Sequence, residues 1–190
     1  MESLPCFVPV LSVLHDAELL NFCTDIYEWN EELILQFYAM LHITGNSEDV
    51  NSWVLDWMSE NTHYKAPATE LLRALPFSPF LEGACCVYNE PELTDHYMQV
   101  LMKPLKPGQT SRKKFLVKEL LYVPRTVYRI LTKTLSPIKG HDSNEEEVVG
   151  IMKNLLFNII HGIPINFHDF FMRTLANVAM SPFELKPYAP

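Results

Sequence analysis

Glycine is scarce in this sequence and scattered: there are six in 190 residues, with no cluster among them. A phosphate-cradling loop needs closely spaced glycines so that backbone N–H groups can approach the ligand, and none is present. The nucleophile elbow and the kinase signature set are missing as well. Cysteine is nearly as sparse. Cys6, Cys23, Cys85 and Cys86 form no CxxC pair, and His63 and His96 stand at no ligand spacing from them. Neither a disulfide scaffold nor a structural zinc site is expected, and the thiols read as core residues in a reduced compartment. Positive charge is absent from the first 64 residues, since the first Lys is Lys65 and the first Arg is Arg73. A signal peptide needs a basic n-region and a mitochondrial transit peptide needs arginines, so an intracellular location, nuclear or cytoplasmic, is expected. The apolar run at 7–14 is too short for a membrane span and contains Pro9. His168 and Asp169 are adjacent, but neighbours on a helix point in different directions and no nucleophile motif accompanies them. These absences lead us to expect no enzyme, cofactor, metal site or small-molecule substrate.

What the sequence does have is bulk. Eleven Phe, eight Tyr and three Trp, with hydrophobic residues at 48% and charged residues at 20%, suffice for a sizeable core. The periodicity predicts a mainly α fold: a single helical domain over 1–190 of about six to eight helices, with a small hairpin around 53–64. "HDAELLNFCTDIYEW" reads as a helix capped by Asp16, and "NEELILQFYAMLHI" as one capped by Asn30 with Glu31 and Glu32 in its first turn. "SWVLDWMSENTHYKAP" alternates around Trp53, Leu55 and Trp57 and turns at 59–62, with its tryptophans expected on the core. Short helices are expected in "PATELLRAL" and "PELTDHYMQVLM", and "PFSPFLEGACCVYNEP" reads as a connection. "EEEVVGIMKNLLFNIIHG" stops at Gly162, and "IPINFHDFFMRTLANVAM" restarts after Asn166. These last two are expected to form the central helical hairpin.

Charge is divided sharply by region. Residues 1–102 carry two basic and sixteen acidic residues, 103–139 ten and one, and 140–190 three and six, within an overall charge of −8. In the middle segment Phe115, Leu116, Leu120 and Val123 predict one helical piece, and Val127, Ile130, Leu131, Thr134 and Leu135 a second, joined at a kink on Pro124. With a mild kink, Lys114, Lys118, Arg125, Arg129 and Lys133 would line one side as a cationic ridge, interleaved with Tyr122 and Tyr128. Such a ridge suits phosphates or an acidic protein partner. It is also what the solvated side of an amphipathic helix looks like.

Several segments, taken in order, resemble the plant transposon protein family found in open reading frames of grass retrotransposons. They are "ELILQFYAMLHI", "SWVLDWMSENTHYKA" followed by "ATELLRAL", "YRILTKTLSPIKGHDSNEEE", and "GIPINFHDFF" with a final "YAP". The resemblance spans roughly residues 30–190 and rests on the order of the pieces more than on any one of them. It implies a retrotransposon-derived, non-catalytic role and supplies no catalytic residues. The family pattern continues past the "YAP" point, so a copy shortened at the C-terminus is expected. The combined expectation is a protein-interaction module that meets a protein partner or a second copy of itself, in a host regulatory role. The alternative is a nucleic-acid-binding, Gag-like remnant using the basic helices at 112–133.

Overall fold

A computed structural model describes residues 5–24, 30–75, 83–91, 98–112, 114–135, 147–148 and 150–180. Among them are seven α-helices: α1 (Val8–Asp16), α2 (Leu20–Thr24), α3 (Glu31–Met40), α4 (Ala68–Ala74), α5 (Tyr122–Thr134), α6 (Ile151–His161) and α7 (Phe167–Met180). Three strands, β1 (His42–Thr44), β2 (Val54–Ser59) and β3 (Thr62–Pro67), form one antiparallel sheet in the order β1-β2-β3. The fold is therefore mainly helical with a small sheet, as the periodicity predicts. No helix among the described residues is long and apolar enough to cross a membrane. The chain divides into two compact units that interleave in sequence: residues 1–23 with 81–166, and residues 24–80 with 167–190.

In the first unit α1, α5 and α6 pack on one another. They bury Val10, Leu14, Val127, Tyr128, Leu131 and Leu155 to 2% exposure or less. Asp16 is the last residue of α1 rather than the cap of the next helix. Pro9 sits in the first turn of α1, where its missing N–H costs nothing, so the apolar run 8–14 is free to be helical. The chain then breaks at Glu18, which has a φ of 59°. The helix expected to open at the acids 145–147 opens instead at Ile151. Gly150 before it has a φ of 52°, which glycine adopts without the steric cost of a Cβ, and Glu147 is taken up in an antiparallel bridge with Leu116. At the other end Gly162 takes the left-handed C-cap with φ 65°, as its sequence position implies. The expected central hairpin is divided, because α6 belongs to the first unit and α7 to the second.

The second unit is built on the hairpin. Asn30 caps α3 by accepting from Leu33 N–H at 3.1 Å. The helix stops at Met40, three residues before its sequence pattern does, because Leu41 turns extended and His42–Thr44 pair with Val54–Asp56. A β-branched pair, Ile43 and Thr44, favours that outcome. β2 and β3 are closed by Glu60 and Asn61, with φ of 49° and 61°, the left-handed pair that a tight two-residue hairpin requires. Trp57 stacks on its cross-strand partner Tyr64 with centroids 5.3 Å apart and meets Phe37 of α3 edge-on. Leu41, Val50, Trp53, Leu55, Leu72 and Met172 centre the core, so both tryptophans of the hairpin serve packing. Residues 92–97 of the helix expected in "PELTDHYMQVLM" and most of "PFSPFLEG" lie outside the described residues.

Candidate functional site

The basic segment falls into two parts with different backbones. Residues 101–121 form a loop pinned across its neck. Met102 and Leu120 make an antiparallel bridge, Lys103 N–H donates to Glu119 O at 2.8 Å, and Leu121 N–H donates to Leu101 O at 2.9 Å. Side chains fasten it further. Lys103 Nζ donates to Lys118 O at 2.8 Å, and the Arg112 guanidinium donates to Lys103 O while lying 3.4 Å from Glu119 Oε2. Arg112 is only 9% exposed, so one of the most strongly solvated residue types is spent inside the loop. Lys114 pairs with Glu147 at 3.1 Å, next to the bridge where Val148 N–H donates to Phe115 O.

Helix α5 is the second part. Pro124 lies in its first turn, a position that needs no N–H, so proline starts this helix instead of kinking a longer one. The helix expected upstream of Pro124 is a 3-10 turn, Val117–Glu119. The predicted five-residue ridge is corrected accordingly. Arg125, Arg129 and Lys133 follow one another at four-residue spacing on α5 and share a face. Lys118 sits half-buried in the 3-10 turn, and Lys114 is on the loop with its ion pair. Arg129 and Lys133 are exposed and Arg125 is half-buried. Tyr128 is 1% exposed on the opposite, core-facing side, which removes it as a stacking group, while Tyr122 is 41% exposed. Burial pushes the Tyr128 hydroxyl up to about 12.

Cys85 is held by structure on every side. Its N–H donates to Pro164 O and its carbonyl accepts from Asn166 N–H, closing a parallel bridge with Ile165. Its sulfur accepts from Asn158 Nδ2 at 3.1 Å, and the same amide donates to Glu90 Oε2 at 3.2 Å. Desolvation, reinforced by Glu90, pushes the thiol up to about 12. A reactive cysteine needs the opposite shift, so Cys85 is a packing residue. Asp169, the acid beside His168, accepts from Arg173 Nε at 2.9 Å one turn along α7. Among the described residues no three His, Cys, Asp or Glu side chains stand together as metal ligands.

Sequence reasoning gave no hint of a cavity of about 390 Å³ inside the second unit. It is lined by residues 41–45 along β1, by Ser47 and Trp53, and by Ala176, Ala179 and Met180 at the end of α7. Its wall is fixed: Trp53 Nε1–H donates to Asn46 O at 2.6 Å, and Asn46 N–H donates to Ser52 Oγ at 2.9 Å. A Cβ at Gly45 would stand 2.8 Å from Ser52 O and 2.9 Å from Trp53, so only glycine allows the loop to close this tightly. No protein-family model, curated protein or solved structure matches the chain.

Proposed function

We propose that the protein is a non-enzymatic interaction module, derived from a plant retrotransposon and recruited to a host regulatory role. It docks an acidic protein surface, that of a partner or of a second copy, on the basic face of α5. The observation that carries this reading is the set Arg125, Arg129 and Lys133 on one face of a helix without a single acid in residues 122–134. A second copy offers a complementary surface in its own chain. Residues 24–80 and 167–190 hold eleven acids against four basic residues, whereas residues 1–23 and 81–166 hold twelve against eleven. The order of segments that resembles plant transposon proteins supports the element-derived, non-catalytic part of the reading.

Sedimentation of the whole protein across a salt series tests it. Self-association or capture of an acidic peptide should weaken as salt rises, and should vanish when Arg125, Arg129 and Lys133 are each changed to Glu. Association that persists in the reversed variant sinks this reading. Nucleic-acid binding remains the second reading, because the same three cations and the exposed Tyr122 could meet a phosphate backbone. With three phosphates neutralised, log K would fall with log salt at a slope no steeper than about −3 on duplex DNA. A slope near the −5 expected of the full ridge would require Lys114 to leave Glu147.

A further inference from the structure

The cavity beside β1 borders an open sheet edge. In the order β1-β2-β3, β1 is an outer strand, and among the described residues no strand pairs with its far side. Consecutive residues 41–45 line the cavity although alternate residues of a strand face opposite ways, so the cavity runs along the edge of β1 rather than over one face. The opposite wall is the end of α7, where Ala176 and Ala179 are too small to fill the space. An edge with backbone groups to offer, next to an apolar recess with a rigid wall, is the arrangement by which an extended peptide is added to a sheet. The backbone pairing supplies affinity and the recess selects a side chain. The rim adds a sign. Glu48 and Asp49 are exposed on the loop that carries Ser47, while the neighbouring cation Arg173 is committed to Asp169 and to the carbonyls of Ser47 and Glu48.

We propose that this groove binds an extended peptide in which an apolar side chain, seated in the cavity, is flanked by basic residues while the peptide backbone pairs with β1. The site is separate from the basic face of α5 and of opposite charge preference, so either can fail without the other. The probe is a series of capped peptides Lys-Thr-Xaa-Thr-Lys with Xaa as Ala, Val, Leu or Phe, titrated into the isotopically labelled whole protein. The readout is the indole N–H resonance of Trp53 and the amides of residues 41–45. Leu at Xaa should bind about tenfold more tightly than Ala, since it buries the larger apolar side chain. Replacing both Lys by Glu should weaken binding. N-methylation of the central amides should abolish it, a control that leaves the protein untouched. Ala176→Leu and Ala179→Leu, each checked by circular dichroism, should remove the preference for Leu over Ala by filling the recess. The proposal is overturned if N-methylated peptides bind as well as their parents, or if no peptide in the series shifts these resonances. Binding of free 1-naphthol with no peptide bound would mark a small-molecule pocket and overturn it too.

Discussion

Residues 103–121 and residues 122–134 have similar compositions, rich in Lys and Arg with Leu and Val between, yet they use their charge in opposite ways. The loop spends charge on fastening itself, with Arg112 turned inward onto Glu119 and the Lys103 carbonyl, Lys103 reaching the Lys118 carbonyl, and Lys114 paired at the surface with Glu147. The helix turns it outward, as Arg125, Arg129 and Lys133 follow the face opposite Val127, Tyr128 and Leu131. The difference follows from the backbone. A helix satisfies its own carbonyls, so its cations can all face away from the core. A loop leaves carbonyls open, and the nearest long cationic side chains close them. A count of basic residues is therefore not a count of basic surface.

The comparison can be broken at several points, beginning with the largest effect. Leu131→Ala empties a fully buried site on the inner face of α5 and should cost about 3 kcal/mol in urea unfolding. Loss of that size would show that the helix is anchored by its apolar face rather than by its charges. Arg112→Met removes the guanidinium that fastens the loop and leaves Glu119 without its cation. About 2 kcal/mol should be lost, with faster amide exchange at Lys103 and Leu121. A neutral result would mean that the loop's inward charge is not structural.

Alkaline pH probes the buried side of the same unit. The folded state holds the Cys85 and Tyr128 protons up to about pH 12, against ordinary values of 9.0 and 10.0. Between those limits the unfolded chain binds fewer protons than the folded one. Stability is therefore full below pH 9 and falls as pH rises towards 12. Tyr128→Phe should flatten the part of that decline above pH 10. The smallest effects belong to the exposed charges. Arg129→Glu and Lys114→Gln should each change unfolding free energy by about 0.5 kcal/mol or less, yet only the first should alter salt-dependent association. Equal effects of the two on association would erase the distinction between loop and helix.

Local signals in the sequence were reliable where one residue governs the geometry. Asn30 caps α3, Gly162 ends α6, and the alternation around Trp53 and Trp57 marks the hairpin. Pro124 misled, because proline breaks a helix interior and opens a helix start by the same chemistry, and only the fold of residues 115–121 decides between them. β1 is three residues long, too short to show a period of two, and it continues an apolar helical pattern without a break. Of the five predicted site residues, three share a face because four-residue spacing inside one helix is legible. The inward use of Arg112 was not legible because it depends on how an irregular loop closes on Lys103 and Glu119, and the groove beside β1 because its walls come from segments distant in the chain.

The interleaving of the two units bears on how the chain comes into being. The sheet, α3 and α4 are complete by residue 75, but the core they share includes Met172 and Leu175, which emerge from a ribosome almost a hundred residues later. In the interval Leu41, Trp53 and Leu55 lack the helix that covers them, while the other unit gathers its parts from residues 81–166. A nascent chain paused before α7 would carry a half-dressed sheet with an open edge, the form most in need of a chaperone's cover. No single cut isolates either unit; a fusion joining 167–180 to 30–75 through a linker would be the way to obtain the second one alone.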